Sequence, residues 1–343
     1  MAYEVMIDNF DQEEWRRRAA TFADYSIYQT WPYQQVRADN SGQKISRIII
    51  KDENDNTVLM AQLRIATIRP FGIKIGYIQS GPLIMARDEN LRCSHEAWEE
   101  LRRAYVGSKL SLLRVVPNVR NDGTSEELLD MLCSSGFELV QNMRPYHTFM
   151  VPLNKSDEDI RAGIHRESRR NIRKAEKQNI ELREGTSEEL FDILEALYTE
   201  AKQRKGFKGV DSEVFARTQR KLTQNDKAVI LVAYYDGRPV TAYATTHFGN
   251  TAVPIIWASN KTGLECGSPY LVLWRAYLSA KSLGMKYYDL GGIDKEGNPN
   301  GYLFKKRMGG AEQFHIGTFE AYKSSAARNI LAMAEKVYKK FKK

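Results

Sequence analysis

Between Lys286 and Gly310 the chain reads KYYDLGGIDKEGNPNGYLFKKRMGG. An apolar strand runs into a double-glycine turn, Gly291-Gly292. A short polar loop follows, and then a compact aromatic-basic turn over Tyr302, Leu303, Phe304, Lys305, Lys306 and Arg307. Glycine lets a backbone approach a ligand closely or adopt positive φ. The lysines and arginine behind it suit a phosphate, or the oxyanion that grows at a carbonyl under attack. Asp289 stands just ahead of the glycines, where a carboxylate can accept a proton from an attacking amine or cap the turn. Tyr302 can pack or donate a hydrogen bond to a substrate. Composition alone equally permits a strand, a turn and a solvated, charged helix start.

A second cluster lies near the middle of the chain. Arg166, Arg170, Arg173 and Lys177 fall at i, i+4, i+7 and i+11, one face of a helix, with Ile164, Ser168, Ile172 and Ala175 opposite. Like charges at i,i+4 oppose helix formation by about a few tenths of a kcal/mol per pair. A stripe of them suggests that an anion neutralises it. The competing reading is a solvated face on which Glu167 and Glu176 act as partners.

The whole chain sets the frame for these groups. Its 343 residues are enough for two domains, each with its own core. A hydrophobic content of 42% with 27% charged residues describes an ordinary globular protein. No apolar run approaches the ~20 residues of a membrane span. The acidic, mixed start MAYEVMIDNFDQEEW does not read as a signal peptide. Cys93, Cys133 and Cys266 are far apart and odd in number, which fits reduced thiols in a cytoplasm. The net charge of +8 is local: residues 166–177 contribute +4 and 323–343 contribute +6, leaving about −2 elsewhere. Anionic partners docking at particular places follow from that pattern.

Periodicity predicts strands at 44–50, 57–66 and 73–79, a helix near 90–106, a strand at 110–116 and a helix at 125–134. A strand at 146–151 is expected to close this half. The second half is expected to open with helical pattern over 157–178, followed by a strand at 180–183 and helices near 187–204 and 211–222. Strands at 227–235, 239–248 and 251–258 come next, the first two joined by an Asp236-Gly237 turn. A nearly all-apolar helix at 269–282, a strand at 286–290 and a last strand near 314–320 complete the set, and a basic amphipathic helix ends the chain. Ile330, Ala334, Val337 and Phe341 share one of its faces, and lysines 336, 339, 340, 342 and 343 crowd its far end. That helix can simply pack, or it can meet an anionic inner-membrane surface. Each half therefore offers an antiparallel meander, a buried helix and a further strand, the pattern of an α/β (α+β) N-acetyltransferase-like (GNAT) domain, present twice. The expected division is 1–150, completed by a C-terminal helix at 321–343, and 151–320.

YYDLGGI followed by YLFKKRMGG resembles the C-terminal signature of the FemABX family, and HRESRRNIRKAEKQNIELREG at 165–185 resembles its central basic helix and following strand. The resemblance implies two tandem GNAT-like domains in the compact form without the family's coiled-coil arm. It also implies transfer of an amino acid from aminoacyl-tRNA to a peptidoglycan-precursor stem peptide, hence a role in interpeptide bridges, cell wall biogenesis and cell shape. Lys305, in the family's Phe-Lys pair with Phe304, would stand close to the reacting carbonyl, and an amine attacking an ester does build an oxyanion there. Arg37, in YQTWPYQQVRA, matches a basic position that meets the precursor's diphosphate. QRKGFKGVD at 203–211 resembles a loop over the precursor, with Arg204 and Lys208 as anion contacts. Arg166, Arg170, Arg173 and Lys174 would contact the donor RNA or the acceptor. No metal or bound cofactor is implied.

Two departures bear on the acceptor. Relatives acting on the UDP-linked precursor tend to carry an acidic residue two positions after the Leu-Arg of the fourth strand, whereas Leu113-Arg114 continues into Val115-Val116-Pro117. Val210 stands near the relatives' arginine. A lipid-linked muropeptide, another peptide or another amine therefore stays open. Hydrolase and nucleotide-binding motifs are missing, and His147, His247 and His315 lack metal spacing. Where a working GNAT domain carries R/Q-x-x-G-x-G/A, this chain has NKTGLECGSPY at 260–270. Pro269 supplies no N–H there, which argues against acetyl-CoA as donor. An acyl-CoA-dependent N-acyltransferase of a cell-envelope sugar or amine, and a non-catalytic RNA- or precursor-binding protein, are the alternatives.

Overall fold

The computed structural model describes residues 3–68, 72–123, 125–206, 209–324 and 328–329. Two compact units result, Met1–Tyr146 with Phe314–Lys343, and His147–Gln313. The first opens with β1 (Glu4–Ile7), α1 (Gln12–Ala19) and α2 (Trp31–Ser41). The meander β2 (Lys44–Lys51), β3 (Thr57–Ile68) and β4 (Ile73–Ile78) follows, then α3 (His95–Tyr105), β5 (Leu112–Val115), α4 (Glu126–Ser134) and β6 (Glu138–Leu139). The second unit holds β7 (His147–Pro152), α5 (Asp157–Ala162), α6 (Arg166–Glu176), β8 (Ile180–Gly185), α7 (Glu188–Lys205) and α8 (Ser212–Lys221). Its own meander is β9 (Val229–Tyr235), β10 (Arg238–Phe248) and β11 (Thr251–Ser259). After it come α9 (Lys261–Cys266), α10 (Ser268–Ser282), β12 (Tyr287–Asp289), α11 (Pro299–Arg307), β13 (Ala311–Phe314) and β14 (Phe319–Tyr322).

The strands form two seven-stranded sheets, ordered β1-β2-β3-β4-β5-β14-β6 and β13-β7-β12-β11-β10-β9-β8. Each contains a parallel pair, β4 with β5 and β11 with β12. Helices flank both, so the fold is two tandem GNAT-like α/β domains. Alternation decides which face is covered. In the first sheet Ile48, Ile50, Leu59, Ala61, Leu63, Ile78, Leu113 and Val115 bury against Trp98, Leu101 and Tyr105 of α3 and Leu128 and Leu132 of α4. In the second unit α10 is buried nearly all round, and Ile172 of α6 joins its core with Leu273, Trp274 and Tyr277. Ser168 and Ala175 are buried on that same face of α6, as its spacing predicts.

Four expectations change. The strand expected to close the first half pairs instead in the second sheet, where Tyr288 of β12 opposes Val151 of β7. The expected last strand splits: β13 lies beside β7, and β14 returns to the first sheet between β5 and β6. Strand identity is local, but sheet membership is set by which edge the chain reaches, and no residue pattern encodes that. The aromatic-basic turn at 302–307 is a helix, α11. Asn298 caps it by accepting the Gly301 N–H at 3.0 Å, and Pro299 occupies its first turn. Asn, Pro and Gly together read as a turn from sequence, although here they start a helix. Of the C-terminal segment expected to be helical, 321–322 belongs to β14, and 330–343 lie outside the described residues.

Candidate active site

The second sheet opens where its parallel pair ends. β11 and β12 are in register only at Thr251 with Tyr287 and Ala252 with Tyr288. Beyond that, Asp289 pairs with Met150 of β7, and Pro254 to Ser259 continue on β11 without a β12 partner. The Gly291-Gly292 turn and the last turn of α11 meet at this opening. A Cβ on Gly291, at φ +77°, would lie 3.5 Å from Lys305 Nζ and 3.8 Å from the Pro254 carbonyl oxygen. Those are ordinary contacts, so it is the positive φ, which only glycine holds without strain, that calls for glycine here.

Lys305 Nζ donates to the carbonyls of Gly291 at 3.1 Å and Gly292 at 2.9 Å. An ammonium has three donors, so a third remains for another acceptor. Burial pulls the Lys305 pKa down to about 8, and the charge of Asp289 offsets part of that. Asp289 is buried. Its carboxylate accepts the Gly291 N–H at 2.7 Å and the single proton of the Thr148 hydroxyl, whose oxygen also lies 3.2 Å from the Gly291 carbonyl oxygen. Asp289 thus fixes the turn and faces Lys305 electrostatically.

Aromatic rings line the same region. Phe304 stacks on Trp257 at 6.2 Å and meets Tyr270 edge-on at 5.1 Å, and Trp257 stacks on Tyr243 at 5.4 Å. Tyr302 packs against Phe149 at 5.6 Å. Lys306 lies over the Tyr302 ring, and Arg307 pairs with Glu167 at 2.9 Å. The site therefore has a polar end at Lys305 and an apolar wall behind it.

On α6, Arg166, Arg170, Arg173 and Lys174 are exposed and have no ion-pair partner among the described residues. Glu167 is taken by Arg307 and Glu176 by Arg161 at 2.8 Å, so neither neutralises the stripe. Arg204 donates to the Ser259 carbonyl at 2.6 Å and sits 3.6 Å from Glu200, internal contacts that tie α7 to β11. Lys208 lies outside the described residues. His147 pairs with Glu312 at 2.8 Å, and burial lowers the pKa values of His247 and His315 to about 4. No group of three or more His, Cys, Asp or Glu among the described residues is placed to hold a metal ion.

Arg37 belongs to the first unit, on the face of its sheet opposite α3 and α4. There Arg64 of β3, Tyr77 of β4, Arg114 of β5 and Glu320 of β14 oppose one another in register across four strands. Arg114 is paired with Glu320, which supplies from a distant strand a carboxylate absent from the sequence after Leu113-Arg114. Arg64, Tyr77, Trp257, Tyr270 and Thr148 escaped the sequence reading. Their one signal is the alternation of polar and apolar residues in strands that are otherwise core.

The segment before α10 does not suit the pyrophosphate of an acyl-CoA. Asn260 accepts the Gly263 N–H at 2.9 Å, the Tyr270 N–H bonds the Gly267 carbonyl at 3.1 Å, and Pro269 has none. A Cβ on Gly263 would lie 2.4 Å from the Val240 carbonyl oxygen, so this backbone is pressed against the sheet. A row of free amides is not presented.

Residues 163–306 match the family described as acetyltransferase (GNAT) domain. The structure of FemX superposes with a TM-score of 0.78 at 15% identity, over 93% of this chain and 97% of that one. A conserved protein of unknown function from Bacteroides thetaiotaomicron gives 0.62 at 10% identity, over 93% and 99%. The C-terminal domain of a putative lysylphosphatidylglycerol synthetase from Agrobacterium fabrum gives 0.55 at 11%, over 95% and 97%. No curated protein matches the chain. Fold and site thus define a tandem GNAT-fold protein. Within that class its architecture is FemABX-like, similar to FemX along nearly its whole length.

Proposed function

We propose that the protein is an aminoacyltransferase that moves an amino acid from aminoacyl-tRNA to a primary amine of a peptidoglycan-precursor stem peptide. The observation that carries this reading is Lys305, held by two carbonyls at the opening between β11 and β12 with a donor to spare. The acceptor amine attacks the ester carbonyl, and the oxygen becomes an oxyanion that Lys305 stabilises. Collapse of this intermediate forms the amide bond and breaks the bond to the ribose oxygen. The amine loses one proton and the departing oxygen gains one. Asp289 keeps the Gly291 turn and Lys305 in place, and Phe304 with Trp257 and Tyr270 forms the wall along which the aminoacyl end lies.

The unneutralised stripe Arg166, Arg170, Arg173 and Lys174 supports an RNA donor, whose phosphates supply the missing charge. Arg37 supports an acceptor with phosphates, as either a UDP-linked or a lipid-linked muropeptide. By resemblance Arg204 and Lys208 would flank that acceptor, although Arg204 is engaged internally. The basic C-terminal segment would bring the protein to the inner membrane surface where a lipid-linked acceptor sits. Among the described residues no helix is long and apolar enough to cross a membrane. Charged tRNA as donor places the reaction in the cytoplasm.

A second reading is an acyl-CoA-dependent N-acyltransferase, favoured by the GNAT family match over 163–306 and opposed by the consumed amides before α10. Radiolabelled aminoacyl-tRNA and labelled acyl-CoA, each offered with a muropeptide, separate the two. Label from the tRNA in the muropeptide supports the proposal, and label only from the thioester overturns it.

A further inference from the structure

A cavity of about 450 Å³, part of it open to solvent, lies in the second unit where α7 begins, α8 ends and the chain turns into β9. Phe191 of α7 stacks on Phe215 of α8 at 5.9 Å and joins the two helices. Phe191, Ala216 and Ile230 are buried and give the cavity an apolar floor. Its sides differ in charge. Glu188 and Asp192 line it from α7, where their i,i+4 spacing puts them on one face. Gln219 and Arg220 line it from α8, and Lys227 from the entry to β9. None of the four charged side chains makes an ion pair among the described residues. Gln219 is only 8% exposed. Its Oε1 accepts the Ala228 N–H at 2.8 Å, which sets the orientation of the amide and leaves Nε2 as a donor. Nε2 has no hydrogen-bond partner.

Acidic residues in the first turn of a helix suit its dipole, and exposed charges of either sign need no ligand. A buried amide with an idle N–H beside an apolar floor is different, because an unmade buried donor is costly. An acceptor oxygen is missing next to Gln219. Arg220 and Lys227 on the same side call for that oxygen to be a carboxylate's. The α7 side calls for a cation. A volume near the lower end of small-molecule sites leaves room for one small molecule carrying both charges. We infer that this cavity binds a small apolar amino acid with both its α-ammonium and its carboxylate free. Gln219, Arg220 and Lys227 take the carboxylate, Glu188 and Asp192 take the ammonium, and the side chain lies on Phe191, Ala216 and Ile230. Arg204 ties the far end of α7 to Ser259 of β11, and about 25 Å of helix rise separates Glu188 from Arg204. The cavity is therefore separate from the opening at Lys305, and its amino acid is a ligand in its own right, distinct from the group transferred. The inference goes beyond the proposed transfer and does not depend on it.

The test is calorimetry on the full chain with L-alanine, L-valine and L-leucine as probes. Saturable binding of at least one is expected. For the tightest of them, the N-acetyl form, which lacks the ammonium, and the amide form, which lacks the carboxylate, should each bind at least about tenfold more weakly, the size of one charge-assisted bond. Gln219→Glu keeps an oxygen for the Ala228 N–H and replaces the idle donor with a negative oxygen. It should weaken the free amino acid at least about tenfold. Two substitutions at exposed positions keep the test independent of folding. Asp192→Asn should weaken the free amino acid and leave the affinity for the N-acetyl form unchanged. Arg220→Gln should weaken it and leave the affinity for the amide form unchanged. A merely structural change would weaken all three ligands alike. Lys305→Ala should bind the free amino acid as the wild type does. Saturable binding of none of the probes overturns the inference, as does equal affinity for the blocked forms. Binding lost in Lys305→Ala and kept in Gln219→Glu also overturns it, by putting the amino acid at the reaction site. Each of these failures leaves the transfer reaction to be judged by its own assay.

Discussion

Asp289 and Lys305 grip the same glycine from opposite sides: the Asp289 carboxylate accepts the Gly291 N–H at 2.7 Å, and Lys305 Nζ donates to the Gly291 carbonyl at 3.1 Å. A turn held at both its donor and its acceptor cannot swing. The third ammonium donor of Lys305 therefore points from a fixed place, which electrostatic stabilisation of a transition state requires.

Removing that donor should reduce the rate. Lys305→Ala is expected to slow transfer by about 10²–10³-fold, the usual effect of losing one oxyanion donor. Affinity for charged tRNA should change little, since the α6 stripe is untouched. Single-turnover kinetics beside a filter-binding measurement checks both, and unchanged turnover would remove the assignment.

The pH dependence follows from the same residue. In the proposed role Lys305 acts when protonated, and its pKa is lowered to about 8 from 10.5. Activity should fall as pH rises through about 8, and Lys305→Arg should shift that alkaline limb upward, because a guanidinium stays charged. The folded state holds this proton less tightly than the unfolded chain. Its contribution to stability therefore grows as pH rises between about 8 and 10.5. A pH–rate profile of both proteins decides the point.

The basic stripe makes an ionic prediction. Each of Arg166→Gln, Arg170→Gln and Arg173→Gln should weaken binding of charged tRNA and reduce the slope of log affinity against log salt by about 0.7–0.9. Salt titrations of the three variants test this. A slope equal to the wild type's would show that RNA does not touch α6.

Two glycines separate strain from collision. Gly310, at φ +88°, would place a Cβ 2.7 Å from the Met150 carbonyl oxygen, whereas Gly107, at φ +95°, has open space around it. Gly107→Ala should lose about 1 kcal/mol from strain alone, and Gly310→Ala at least 1–3 kcal/mol more. Denaturant melts of the two variants measure the difference.

Local periodicity made the meanders, α10 and the buried back of α6 legible, because each depends on neighbours along the chain. Lys305 and Phe304 are candidates through the resemblance of their block, and Asp289 through its place beside the glycines. What stayed hidden depends on distant partners. The closure of the first sheet by β14 is one case, and the in-register row of Arg64, Tyr77, Arg114 and Glu320 is another. Arg64 reads as one polar residue in an apolar strand until the sheet sets it opposite Tyr77. Glu167 and Glu176 looked like natural partners for the α6 arginines, but Arg307 and Arg161 reach them first.

The most direct test of the central claim is a transfer assay. The protein would be mixed with a complete set of radiolabelled aminoacyl-tRNAs and either the UDP-linked or the lipid-linked muropeptide, with Lys305→Ala alongside. The account predicts label from one charged tRNA in a muropeptide, lost in the variant. No label in either acceptor, with acyl-CoA consumed in a parallel reaction, would contradict it.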